Sequence, residues 1–390
     1  MVFWIMLIWV LVMWLFVQNS MSSDRLCADG VHERRVNTGY CILIFSVPFL
    51  FTALRSGFID TASYIATYNN IPTDMNFFDL YVTSHSKSTI YYGLQMLFKV
   101  YISEDAQVWL TFIALIQSFC IMATLKKYSP DVGMSVFIFV ASTLIGQWML
   151  NGMRQFVAVC ILFLCTDWLL KKKWFLYLLL AVFLMGLAPI TSRLGMADPP
   201  WYLCGIHQAT LIMILAFFCI QGKAFNVRVW VVVAALVVLI VTGGLEDVIG
   251  SSVENTDYSN EMEYVQADTG TSVLRVMVCS FPAVLALLAR KEIKKESTPK
   301  IITLSANASV ITAVLYIASA FTSGIFVGRL PVYTEMYNLI LLPWLVKHPF
   351  KDSERILIIC LVAAYIVYFY FQINDVWKGQ YQSEILGIGV

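Results

Sequence analysis

VGMSVFIFVASTLIGQWMLNGMRQFVAVCILFLCTDWLL, residues 132–170, carries only two formal charges, Arg154 and Asp167, and ends against Lys171-Lys172-Lys173. A membrane-spanning helix takes about 20 predominantly apolar residues, so this stretch holds two, separated near Asn151-Gly152. Working outward, apolar runs bounded by charge or turn residues fall at 3–17, 40–54, 106–124, 132–149, 152–170, 174–189, 205–221, 229–244, 271–289, 303–322, 331–347 and 354–372. The expected fold is all-α, a polytopic transmembrane helical bundle of about 12 spans.

The composition points the same way. Of 390 residues 59% are hydrophobic and 13% charged, whereas soluble domains carry about 45–50% and about 25%. Twelve spans would use roughly 240 residues, so 1–390 reads as one integral membrane domain whose loops carry the chemistry. A net charge of +1 provides no dominant basic face, which argues against a nucleic-acid partner. The nine cysteines form no C-x-x-C pair and no Cys/His cluster at metal spacing. Cys41, Cys120, Cys160, Cys165, Cys219, Cys279 and Cys360 read as small buried hydrophobes. Asn307-Ala308-Ser309 matches a glycosylation triplet, but it lies inside an apolar run and reads as a chance match.

Charge placement sets the expected orientation. With the amino terminus outside, the inner connections collect Arg25, Arg34, Arg35, Lys126, Lys127, Lys171 to Lys173, Lys223, Arg228, Arg290, Lys291, Lys294, Lys295, Lys300, Lys347, Lys351 and Arg355, 18 of the 26 basic residues. The positive-inside rule then places both termini on the outer side. A cleaved signal peptide is the rival reading of residues 1–23, but no basic segment precedes its apolar stretch. Two outer segments are long. Residues 55–105 include TIYYGLQMLFKVYIS, too short to span and expected to lie in the interface as an amphipathic or re-entrant helix, and 245–270 forms an acidic, turn-rich outer loop.

The basic residues left on the outer side include five arginines, Arg55, Arg154, Arg193, Arg275 and Arg329, at or just inside span ends. A charge there needs an anionic partner, and arginine binds phosphate bidentately while keeping its charge when partly dehydrated. The pattern suggests a site for a membrane-embedded polyanion. Asn151, Arg154, Gln155 and Ala158 fall at i, i+3, i+4 and i+7, one face of a helix that would receive a polar ligand or another polar helix end. Arg154 pairing with a loop carboxylate such as Asp60 is the plainer alternative. Asp60, Tyr64 and Tyr68 step by four, either a sugar-binding platform with one carboxylate or an interfacial aromatic belt with a capping or paired Asp60. His207 opens a span and can serve as a general base, a phosphate donor or a structural residue. Arg275 opens another, and Arg329 precedes Tyr333, with Tyr337 one turn on. No GxxxxGK, GxGxxG after a strand, or DxD appears, so a glycosyltransferase here would use a lipid-linked donor.

Arg55-x4-Asp60-x3-Tyr64, Asn151-x2-Arg154-Gln155-x2-Ala158, the basic turn Lys171 to Lys173, His207 opening a span, and Arg329-x3-Tyr333 followed by Pro343 together resemble the EpsG family of Wzy-type polysaccharide polymerases. The resemblance runs from about residue 50 to 350, and its Asn-x-x-Arg-Gln element is its most specific part. Where the family often carries a Glu before GLQMLF, this chain has Ile90-Tyr91-Tyr92, leaving Asp60 as the better catalytic carboxylate.

The resemblance implies a bacterial inner-membrane enzyme, similar in layout to the GT-C glycosyltransferases, that joins repeat units carried on undecaprenyl pyrophosphate at the outer face. Its partners would be the lipid-linked glycans, membrane lipid and a chain-length regulator, with no cofactor and no metal. Arg154, Arg275 and Arg329 would hold the donor pyrophosphate, Asp60 or His207 would orient or deprotonate the acceptor, and Asn151 and Gln155 would add hydrogen bonds. Tyr64 and Tyr333 would line the site, and Arg55 and Arg193 would face the second lipid pyrophosphate. Alternatives are an O-antigen ligase that moves the glycan to a lipid A core, and a lipid-linked oligosaccharide flippase or other transporter.

Overall fold

The computed structural model describes residues 1–26, 32–74, 89–187, 205–242, 270–324 and 327–389. The 245–270 loop, apart from its last residue, therefore lies outside the described residues, as do Arg193 and part of 55–105. Helix dominates, and every apolar run identified from the sequence is helical over most of its described length. Among the described residues, Ala106–Tyr128, Lys300–Ala320 and Lys351–Val376 are long and apolar enough to cross a membrane. A fourth follows if Val132–Ala141 and Leu144–Asn151, bent by 75°, count as one broken span. The other apolar helices have 10–17 residues, or about 15–25 Å at 1.5 Å per residue, short of the roughly 30 Å hydrocarbon layer. Helix length thus supports a multi-pass membrane protein but does not carry the count of twelve.

One departure from an all-α fold is local. After the first helix two short strands pair antiparallel, β1 (Ser22–Leu26) with β2 (His32–Val36), Ser22 opposite Val36 and Leu26 opposite His32.

The chain divides into two compact units, residues 1–71, 98–164 and 339–390, and residues 72–97 and 165–338. In the first unit α1 (Val2–Val12), α2 (Thr38–Ala53), α5 (Ala106–Tyr128), α6 (Val132–Ala141) and α7 (Met153–Leu164) pack together. One set of helix ends is tied by Asp131, which is buried, accepts from Gln18 Nε2 (3.0 Å) and Met134 N–H (3.0 Å), and pairs with Lys347 at 2.7 Å. Arg35 donates to Lys127 O at that end. The other set is tied by Gln107, which donates to Ala53 O, and by the segment after the last span. There Gln382 N–H donates to Gly57 O at 2.7 Å, and Tyr381 Oη donates to Phe51 O at 2.8 Å. Connections that the charge pattern assigns to one side therefore meet at one end of the unit.

The break between α6 and α7 has an identifiable cause. Leu144–Asn151 closes in wide i to i+5 turns, with Gly152 N–H donating to Gln147 O at 3.0 Å, and such turns inside helices often mark functional positions. Gly146 lies against the buried Trp377, and a Cβ built there would lie 2.2 Å from two of the indole carbons. Glycine is what allows the two elements this approach.

The second unit is organised around α13 (Lys300–Ala320), buried nearly all round and packed against α11 (Val227–Val241) and α12 (Val273–Leu288). Its interior face is small and polar, including Ser305, Ala306, Ala308, Ser309, Thr312 and Ala313. Small residues let helix backbones approach closely in lipid, where apolar burial alone does not drive association. Asn307 is fully buried: its Nδ2 donates to Ile220 O and Lys223 O, both at 3.1 Å, and its Oδ1 accepts from Phe225 N–H at 2.7 Å. The glycosylation triplet thus supplies a side chain that satisfies a buried turn.

Candidate functional site

In the first unit the segment from Arg55 to Asp60 meets the turn before Arg154. Arg55 is buried, and its guanidinium donates to Thr52 O, to Thr61 Oγ1 (3.3 Å) and towards Met153 Sδ. It therefore fastens the end of α2 to α3 (Thr61–Asn69) and to the start of α7. Ile59, just before Asp60, has φ +45°, unusual for a β-branched residue. Backbone strain of this kind concentrates at functional positions. Asp60 is exposed, and its backbone N–H donates to Asn151 Oδ1 at 2.9 Å.

The structure corrects the single-face reading of Asn151, Arg154, Gln155 and Ala158. Asn151 ends the wide-turn segment, Gly152 interrupts the helix with ψ +45°, and α7 begins at Met153. Asn151 is thereby turned to the Asp60 loop, while Arg154 is partly exposed in the first turn of α7 and Gln155 is buried.

The aromatic stripe is corrected as well. Tyr64 is partly exposed, but Tyr68 is fully buried and stacked on Trp109 at 5.9 Å, so it offers no open face to a sugar. Burial, then the carboxylates of Asp105 and Glu104, pushes the Tyr68 phenol up to about 12. The same α3 end is capped by a residue that sequence reading missed. Lys99, buried in α4 (Thr89–Tyr101), donates to Tyr68 O, Asn69 O and Ile71 O at 3.1, 2.8 and 2.7 Å. A cation at a helix C-terminus satisfies carbonyls that have no intrahelical partner.

In the second unit the segments that carry Arg275, Arg329 and His207 pack against neighbouring parts of one framework. Thr271 N–H donates to Ser319 O at 3.0 Å, and Ser319 Oγ donates to Thr271 Oγ1 at 2.8 Å, joining the approach to α12 with the end of α13. A Cβ at Gly328 would lie 2.9 Å from Thr271 Oγ1, so the turn carrying Arg329 packs on the segment that leads into Arg275. Tyr333 on α14 (Val332–Glu335) is buried and bonded to Thr210 Oγ1 at 3.0 Å, which brings the turn after His207 to the same cluster. Arg275, Arg329 and His207 are each partly exposed there.

His207 Nδ1 accepts from Ala209 N–H at 3.2 Å. In the neutral ring the proton then sits on Nε2, so the imidazole offers a donor, which suits a phosphate oxygen better than removal of a proton. Beside this cluster lies a second residue missed by sequence reading. Glu335 is buried and accepts from Tyr316 Oη at 2.7 Å and from Cys279 Sγ at 3.6 Å. Its signal was available as a carboxylate at the start of an apolar run, two residues after Tyr333. Cys279 thus does more than fill space.

Among the described residues no group of three His, Cys, Asp or Glu could hold a metal ion. The groups present can donate hydrogen bonds to an anion through arginines and an imidazole, and can accept a proton on a carboxylate. No curated protein and no solved structure matches the chain. The EpsG family model matches residues 39–192 and 201–383, which takes in Asp60, Arg154, His207, Arg275 and Arg329. On a match over most of its length, the chain belongs to the EpsG family of Wzy-like polysaccharide polymerases.

Proposed function

We propose that the protein joins undecaprenyl-pyrophosphate-linked oligosaccharide repeat units on the outer face of the bacterial inner membrane, by glycosyl transfer without a metal. The observation that carries this reading is the Asp60 N–H to Asn151 Oδ1 bond, which brings an exposed carboxylate to the turn that introduces Arg154. In the reaction the acceptor hydroxyl oxygen attacks the anomeric carbon. The bond from that carbon to the pyrophosphate oxygen breaks, and the leaving group takes the electron pair. Arg154, Arg275 and Arg329 are the cations assigned to the lipid pyrophosphate charge, a role that a metal fills in other transferases. A sugar hydroxyl is a weak acid, so it needs a base as it attacks, and Asp60 is assigned to accept its proton. His207 is assigned as an Nε2–H donor to a phosphate oxygen.

A deletion strain tests the reaction class through its surface glycan. The expected outcome is loss of the polymer ladder with single repeat units retained on their final acceptor. Complete loss of glycan from a lipid A core would instead identify a ligase, and accumulation of lipid-linked units on the inner leaflet would identify a flippase. Chelator added to the purified enzyme should leave turnover unchanged.

A further inference from the structure

Glu335 is a carboxylate held inside the second unit, 4% exposed, where a charge is unfavourable unless paired. The short helix that carries it is already fixed by neutral contacts. Thr334 Oγ1 lies 2.7 Å from Thr312 Oγ1, and Tyr333 Oη lies 3.0 Å from Thr210 Oγ1. Anchoring α14 therefore does not require a charge, and a polar but neutral residue would avoid the desolvation. The carboxylate faces a specific neighbour. Cys279, which donates to Glu335 Oε1, is one helical turn after Arg275, so both lie on the same face of α12. Arg275, at the partly exposed end of α12, is thus the cation on the same helix face as the side chain bonded to this carboxylate.

We propose that Glu335, held by Tyr316 and Cys279, is a positioning residue that orients the Arg275 guanidinium for a lipid pyrophosphate. The inference rests on the assignment of Arg275 to that pyrophosphate. A guanidinium presents five N–H groups in a planar fork, so a carboxylate can hold one edge while another edge meets phosphate oxygens. Without the carboxylate the guanidinium keeps its charge but loses its fixed direction.

The test is a double-mutant cycle in nanodiscs, with undecaprenyl pyrophosphate as the probe and thermal melting as the fold control. Glu335→Gln keeps an oxygen for Tyr316 and removes the charge. It should melt near wild type and weaken binding on the order of tenfold, within the usual range for residues coupled through one hydrogen-bonded network. In the Arg275→Ala background the same change should have no further effect. Equal weakening in both backgrounds, or wild-type binding by Glu335→Gln, overturns the positioning role. Wild-type binding by Arg275→Ala refutes the pyrophosphate assignment of Arg275 itself, a separate failure. If Glu335→Gln does not reach the membrane, Glu335→Asp supplies the measurement, because it keeps the charge but withdraws it by one methylene. Wild-type affinity in that variant likewise overturns the proposal.

Discussion

Lys99→Met should release the helix that follows Asp60 without unfolding the protein. Lys99, 8% exposed, donates three hydrogen bonds of 2.7–3.1 Å from its ammonium to carbonyls of Tyr68, Asn69 and Ile71. Methionine fills a similar volume but donates none, so each of the three carbonyls loses the bond from Lys99. At about 1 kcal/mol net for each bond, the end of α3 should lose about 3 kcal/mol against local opening. Each 1.4 kcal/mol is a factor of about ten, so exchange should accelerate on the order of a hundredfold. The assay is hydrogen–deuterium exchange in nanodiscs, read on the Asn70 and Ile71 amides, which donate to Ala66 O and Tyr68 O. Exchange within Lys300–Ala320 serves as the control for global unfolding. Turnover should fall with α3 order, since Asp60 immediately precedes the other end of the same helix. Unchanged exchange at 70–71 would show that the three bonds contribute nothing to α3.

Arg154→Lys keeps the charge but loses the planar fork, so it should be nearly as damaging as Arg154→Ala, at about 3 kcal/mol or roughly a hundredfold in polymerisation rate. A near wild-type rate for Arg154→Lys, or loss of both variants from the membrane, would make Arg154 a structural residue. Gly146→Ala drives a methyl against the Trp377 ring carbons, and overpacking of this kind costs about 1–3 kcal/mol. Its melting temperature should drop and be partly restored by Trp377→Leu, whereas a wild-type melt refutes the contact. Burial pushes Tyr68 up to about 12, and pushes Tyr381 to about 12 against the lowering effects of Arg55 and Ser383. A free phenol ionises near pH 10. Below that both states hold the proton and the stabilisation is complete, and it is lost as pH rises from 10 through 12. Melting temperature followed across that window should fall, and Tyr68→Phe should flatten the fall. An unchanged slope would show that Tyr68 carries none of it.

Helix was legible in the sequence because lipid leaves a buried backbone few ways to satisfy its hydrogen bonds, so an apolar run of sufficient length declares its structure. The stretch 132–170 was read as two spans joined near Asn151-Gly152; the structure keeps a break at Gly152 but bends the first of the two by 75° between Ala141 and Leu144, and the family followed from residues placed along the chain. Hydrophobicity does not report where a helix bends. The reading of Asn151 to Ala158 as one face failed because the wide turns end at Asn151 and Gly152 interrupts the helix before Met153, a backbone change that hydrophobic periodicity does not record.

What the sequence determined by itself was the solvent in which this chain folds, the class of its elements and the residue types available for an anion. These follow from composition, run length and side-chain chemistry, all local properties. Tertiary structure alone decided which charges are exposed and which are enclosed. Arg55 and Lys99 became internal fasteners, Asn307 a buried bracket and Glu335 an enclosed carboxylate, while Asp60, Arg154, Arg275 and Arg329 kept access to their surroundings. The physical reason is that the state of a polar group depends on its partners, and here those partners come from helices distant in sequence.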